Sequence, residues 1–289
     1  MNNMKIIKTE YSDAIKANIE VHSAMAELYN QIEPHFRPES IERVHGIIEQ
    51  ISAENHITSA LDLGCGTGFM INILKEYVKN IVGVDVTQAM LNKVDLSGNL
   101  NIELINGDTG SVQLPENHFD IATAYTFLDH LQDMNPTFKN CYKSLKPGGV
   151  FYADLSPNAY FWDEIKKLSD SENNFDPIIL REINAVTKKD EEIEQEFGVS
   201  KDIFIQAEFQ KHIEGGLREE KLAKDLYEAG FKDVRFIYHW FIGQAQMINE
   251  EGVDKTQRLK NADIMHNCLL KSMPLSRHLF KYIGFIAKK

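Results

Sequence analysis

The apolar positions change their spacing once along the chain, near residue 57. Before it, Ile15, Ile19, His22, Ala26 and Tyr29 recur in steps of four and three, which predicts a helix over 12–31. Pro34 and Pro38 break that pattern. A second helix is expected at about 39–54, with Ile41, Val44, Ile47, Ile48 and Ile51 on one face. From 57 onward short apolar runs alternate with helical segments. Strands are predicted at 57–64, 80–85, 101–107 and 119–126, and a fifth follows the Lys-Pro-Gly-Gly turn at 146–149. Helices are predicted between them at 69–77, at 87–94 and at about 133–145. Near-continuous apolar strands alternating with helices imply a parallel sheet covered on both faces.

The regularity fails after Ser156. Residues 181–213 show β-type alternation with charged turns, which predicts two or three antiparallel strands outside the main sheet. A helix at 217–229, a strand at 232–240, a helix at 254–272 and a final strand in HLFKYIGFIAKK complete the expectation.

Composition narrows the function classes. The chain has 289 residues, 43% hydrophobic and 26% charged, enough for one large core. Its formal net charge of −12 disfavours a phosphate backbone as partner, so no nucleic acid is expected. The three cysteines, Cys65, Cys141 and Cys268, are too few and too scattered for a disulfide framework. A reducing cytoplasm is the expected compartment. No apolar run reaches membrane-spanning length, and no membrane partner is expected. The oligomeric state stays open.

The strongest chemical signal is LDLGCGTGF at 61–69, where a strand stops at a glycine turn and a helix begins. Glycines there let backbone N–H groups approach an anionic group. The spacing is Gly-x-Gly-x-Gly, unlike the Gly-x-Gly-x-x-Gly dinucleotide fingerprint. Asp85 follows Gly64 by 21 residues at the end of the second strand, where a carboxylate suits the two hydroxyls of a ribose. Asp108 ends the third strand 23 residues later, where an acid suits an exocyclic adenine amine. Consecutive strand ends of an open α/β sheet line one crevice.

LDLGCGTGF, GVDVTQAML, NGDTGSVQLPENHFDIATA and LKPGGVFYADL together resemble the successive motifs of class I S-adenosylmethionine-dependent methyltransferases. The resemblance spans about 57–155, with a weaker echo at 219–236. It implies a Rossmann-like, doubly wound α/β sheet of seven strands, mostly parallel with the last antiparallel. It implies S-adenosylmethionine as cofactor, met by Asp62, Gly64, Cys65, Gly66 and Gly68 at its amino-acid end and by Asp85 at the ribose. Val86, Gly107, Asp108 and Thr109 are implied around the adenine, with Tyr29 and Tyr125 completing the cofactor wall. Residues 1–56 are expected as a helical cap. Residues 57–289 are expected as the methyltransferase domain, with an inserted β lid at about 157–215 and an added helix at 241–277. No metal is expected, because the acids at strand ends are already assigned to the cofactor.

Methyl transfer from a sulfonium needs positioning, and a base only where the acceptor arrives protonated. Candidate catalytic residues are His130 and Asp129, just past the fourth strand, and His212 at the end of the expected lid. Candidate acceptor-side residues are His35, Phe36 and Arg37 in YNQIEPHFRPE, with Tyr29 and Glu33 beside them. Trp162 and Trp240 are candidate pocket walls. Each has a plain alternative: Phe36 as a core plug, the tryptophans as core, the histidines as capped or exposed residues. Cys65 is not expected to be a nucleophile. The acidic surface and two insertions favour a small-molecule O, N or C acceptor. Protein or RNA methylation, nicotinamide-dependent oxidoreduction and non-catalytic cofactor binding are the competing readings.

Overall fold

The computed structural model describes residues 5–6, 12–98, 101–169, 175–181, 184, 194–195 and 197–289. Its centre is one mixed sheet. The strands are β1 (Lys5–Ile6), β2 (Ser59–Leu63), β3 (Asn80–Asp85), β4 (Asn101–Asn106), β5 (Phe119–Tyr125), β6 (Leu145–Pro157), β7 (Lys232–Phe241) and β8 (Phe280–Lys288). They lie in the order β1-β4-β3-β2-β5-β6-β8-β7. β2 to β8 make the expected seven, and the two-residue β1 extends the edge beside β4. β8 runs antiparallel to both β6 and β7, as the resemblance implied.

Burial explains the apolar runs. Every residue of β2 is buried, because helices cover both faces of the parallel part. Between β2 and β5 the order reverses. That switch point opens a crevice at the strands' carboxyl ends. The expected first helix is split: it runs Asp13–Met25, capped by the Ser12 hydroxyl, and a short turn restarts at Tyr29–Ile32. Pro38 opens the next helix, Pro38–Glu54, at a position where its missing N–H costs nothing. Val44, Ile48 and Ile51 from that helix pack into one core cluster with β2 and with Phe69 and Met70.

The insertion after β6 corrects the sequence expectation. Helices Ala159–Ser169, Lys201–Ala207 and Phe209–His212 stand there, and no strand occurs between 158 and 231 among the described residues. Residues 170–174, 182–183, 185–193 and 196 of the expected β lid lie outside the described residues. Alternation in this stretch came from amphipathic segments with charged residues every second or third place, a pattern that short helices also satisfy. Long-range packing decides: Val199, Phe204 and Ala207 bury against Ala17, Val21 and Met25 of the first helix.

Asp154, fully buried near the end of β6, ties the N-terminal helices to the sheet. Its Oδ2 accepts from Arg43 Nη1 at 2.8 Å and from the Tyr152 hydroxyl at 2.7 Å. Its Oδ1 accepts from the Leu155 N–H at 2.7 Å. His239 Nε2 on β7 lies 3.2 Å from Asp154 Oδ2 and 2.9 Å from Arg43 Nη1, and Arg43 Nη2 donates to the Tyr125 hydroxyl on β5 at 3.0 Å. Burial opposes the charge on Asp154, but His239 and Arg43 beside it outweigh burial and hold the carboxyl far below the usual range. β8 passes this carboxylate at Gly284. A Cβ there would sit 2.5 Å from the Ala153 carbonyl and 2.7 Å from Asp154 Oδ1.

Removing one partner of a buried pair leaves the other uncompensated, so Asp154→Ala is expected to cost about 3–5 kcal/mol in urea denaturation. Because the folded pKa is depressed, the stabilisation from Asp154 is present above about pH 4 and lost below it. The variant's stability is therefore expected to lose its acid dependence in that range.

Candidate active site

The glycine turn follows directly from β2. Gly64, Gly66 and Gly68 all have positive φ, at 68°, 52° and 92°. At Gly64 a side chain is also sterically barred, since a Cβ would lie 2.0 Å from Phe127 Cδ2. The turn delivers the Gly66 N–H to Asp85 Oδ2 at 2.9 Å, while the Thr87 N–H donates to Asp85 Oδ1 at 2.8 Å. Glycine turn and acid are thus built as one unit. Burial raises the Asp85 carboxyl, and those two N–H bonds pull it back.

A cavity sits at this point. Asp62, Gly64, Cys65 and Gly66 form its floor; Asp85, Val86, Asp108 and Thr109 form one side; Tyr29, His35, Tyr125 and His130 close another. The expected cofactor residues therefore converge, apart from two. Gly107 does not line the cavity; its N–H donates to the Asp85 carbonyl at 3.0 Å. Gly68 also lies outside the lining and serves as the left-handed cap of the helix Phe69–Leu74. The Thr109 hydroxyl is engaged with the Thr137 hydroxyl at 2.9 Å, so this side chain offers its backbone and methyl group more than its oxygen.

Asp62 stands out electrostatically. Its Oδ1 accepts from the Thr123 hydroxyl at 2.7 Å, and its Oδ2 is buried with no hydrogen-bond partner among the described residues. Burial, with the Asp85 charge adding to it and the Thr123 bond opposing, pushes the carboxyl up to about 7. A buried acceptor without a donor is unfavourable unless a ligand supplies one. Cys65 is buried too, and burial raises its thiol well above the usual range, which leaves it unreactive.

A second cavity of about 140 Å³ adjoins the first. Both are lined by His22, Tyr29, Thr126 and His130. The helical insertion roofs the second one with Trp162, Phe204, Ala207, Glu208 and Lys211. Its other walls include Glu33, Asp129 and Tyr282. Two polar atoms with no hydrogen-bond partner among the described residues belong to these walls, Asp129 Oδ1 and Trp162 Nε1. His130 Nδ1 lies 2.8 Å from the Ala207 carbonyl, which can only accept, so Nδ1 carries the proton and Nε2 is the basic nitrogen of the neutral ring. Burial works against a charge on His130, but Asp129 and Glu208 outweigh it, and the net shift is upward. Burial raises the Asp129 carboxyl.

Several acceptor-side expectations are corrected. Arg37 is exposed, caps the helix Pro38–Glu54 with its backbone and lines neither cavity. Phe36 packs as core, 5.3 Å from the Phe69 ring and 4.6 Å from His35. His35 itself is 5% exposed and lines the first cavity and not the second. His212 lies on a helix, 3.2 Å from Glu208 Oε2, and lines neither cavity. Trp240 also lines neither. Sequence reading missed Asn18, His22 and Thr126, which long-range packing alone brings here. It also missed Arg43, Asp154 and His239. An acid at the end of the fifth strand was a signal of the kind used for Asp85.

A family described as "Methyltransferase domain" matches residues 61–153, the segment that carries the glycine turn, Asp85 and Asp108. The chain carries a methyltransferase domain. The ubiquinone biosynthesis O-methyltransferase of Idiomarina loihiensis is 29% identical to this methyltransferase over 163 residues, which cover 54% of the chain and 67% of that relative. The protein of the same name from Pseudomonas entomophila is 28% identical over 160 residues, covering 52% and 68%. The structure of phosphoethanolamine N-methyltransferase 2 of Haemonchus contortus, with phosphomonomethylethanolamine and S-adenosylhomocysteine, superposes with a TM-score of 0.54 at 13% identity. That match covers 98% of this chain and 60% of the other, and it shows the shared fold.

The raised Asp62 carboxyl gives a pH test. A group with a raised folded pKa contributes stability that is present below its unfolded value, near 4, and lost as pH rises through the folded value, about 7. The ligand-free methyltransferase is therefore expected to lose thermal stability between about pH 4 and 7, and Asp62→Asn to flatten that loss in a melting series.

Proposed function

We propose that this methyltransferase transfers the methyl group of S-adenosylmethionine to a hydroxyl of a small molecule held in the second cavity, with His130 as general base. The observation that carries the reading is the doorway: two adjoining cavities share His22, Tyr29, Thr126 and His130. The first cavity suits the cofactor. The unpartnered Asp62 Oδ2 offers an acceptor to its ammonium, Asp85 keeps lone pairs for the ribose hydroxyls, and Val86 and Asp108 supply an apolar face and an acceptor for the adenine. Bound there, S-adenosylmethionine supplies an activated methyl group on a sulfonium.

This chain's own residues supply the rest. The helical roof excludes water from the acceptor, and the walls fix its approach. His130 Nε2 takes the acceptor's hydroxyl proton, and Asp129 and Glu208 stabilise the imidazolium that forms. Asp129 Oδ1 and Trp162 Nε1 offer an acceptor and a donor to the bound molecule. The names of the Idiomarina and Pseudomonas relatives favour oxygen as the methylated atom. The roof and the net charge of −12 argue against a protein or RNA acceptor. Free thiols at Cys65, Cys141 and Cys268 fit a reducing compartment.

Incubation with methyl-labelled S-adenosylmethionine and a fractionated metabolite pool is expected to label a small molecule, with no label in added protein or RNA. His130→Gln is expected to lower that labelling by about 10²–10⁴-fold, far more than it weakens S-adenosylhomocysteine binding in calorimetry. Asp85→Ala is expected to weaken the same binding at least about tenfold, two hydrogen bonds being lost. Unchanged binding there sinks the ribose assignment.

A further inference from the structure

His130 is held by the roof. Its Nδ1 faces the carbonyl of Ala207, the last residue of the helix Lys201–Ala207, at 2.8 Å. Carbonyls at a helix end have no intrahelical partner and are free to accept from outside. The same oxygen accepts from Asn18 Nδ2 at 2.9 Å. A carbonyl has two lone pairs, so these two donors fill it. Asn18 lies on the first helix and is 8% exposed, and Ala207 is fully buried. The Asn18 backbone carbonyl in turn lies 3.0 Å from His22 Nδ1. The His22 ring meets the His130 ring edge-on, with centroids 4.9 Å apart and planes at 89°. One asparagine therefore sits behind both histidines of the doorway.

We propose that Asn18 is a positioning residue: by anchoring the Ala207 carbonyl of the roof over His130, it fixes the proton on Nδ1 and leaves Nε2 bare toward the shared doorway. The inference rests on the reading of His130 as base, and its chemistry is specific. A neutral imidazole has two tautomers, and only the one protonated on Nδ1 satisfies a carbonyl facing Nδ1. Without an anchored carbonyl, the proton distributes to Nε2, and a ring protonated there has no lone pair to offer an acceptor hydroxyl. Because Ala207 belongs to the roof and Asn18 to the N-terminal helix, the correct tautomer exists when the two are docked. Base assembly and closure over the acceptor are thus one event.

The test is nitrogen NMR of the full-length chain with ¹⁵N-labelled imidazoles, in the presence of S-adenosylhomocysteine. The His130 signals are assigned by their loss in His130→Gln. The wild type is expected to show Nδ1 protonated and Nε2 bare above the ring's pKa. In Asn18→Leu and Asn18→Ala the ratio of the two tautomers is expected to move toward Nε2–H by about five- to tenfold, the worth of one net hydrogen bond. The pKa of His130 is expected to fall with it, since the carbonyl bond favours the protonated ring. A wild-type ring protonated on Nε2 overturns the proposal even if the variants do not fold. So does an unchanged tautomer ratio in folded variants. Neither readout depends on turnover, so a catalytically dispensable His130 would refute the base assignment and leave this measurement to be decided separately.

Discussion

A carboxylate with no exposure to water holds the two halves of this molecule together. Asp154 is out of reach of solvent, and a charge in that position is tolerable only when every lone pair is used. Arg43 reaches it from the N-terminal helices, Tyr152 from within β6, and the Leu155 N–H from the chain just beyond. The same arginine engages His239 on β7 and Tyr125 on β5. The helix Pro38–Glu54 is thus pinned at the switch point of the sheet. The segment before it places Tyr29 and His35 on the wall of the first cavity.

The chemistry follows a division of labour. The parallel sheet and its strand ends build the first cavity from residues close in sequence to strands. Glycine turn, Asp85 and Asp108 come from β2, β3 and β4 in order. The second cavity is assembled from pieces far apart: His130 after β5, Trp162 after β6, Ala207 at the far end of the insertion and His22 in the first helix, with Asn18 bonded to Ala207 behind them. Loops and insertions on a rigid sheet are where such folds vary their specificity.

That division explains what the sequence made legible. Strand–turn–helix units have a local signature, so the parallel sheet and most residues that meet in the first cavity could be read from spacing and motif, while the antiparallel last strand followed from the resemblance. Asp85 and Asp108 are recognisable because an acid at the end of an apolar strand has few other reasons to be there. Asp154 meets the same criterion, but its partners Arg43 and His239 are far from it in sequence and leave no local trace. The insertion misled for a physical reason. Its short helices owe their stability to burial against Ala17, Val21 and Met25 rather than to their own propensity, and that contact has no local trace. His212 and Arg37 carried suggestive chemistry at plausible places but face away from both cavities. Asn18 is an ordinary helix asparagine until the roof is laid over it.

Gly284 shows how far the central charge reaches. β8 can run beside β6 here only because that residue presents hydrogen where any other amino acid would present carbon against Ala153 and Asp154. The freedom of a position in the last strand is therefore governed by the backbone of β6 together with an ionised group whose other partner, Arg43, comes from the helix Pro38–Glu54. Losing the acid alone would not release the glycine, because the Ala153 carbonyl and the Asp154 backbone would still meet the added carbon.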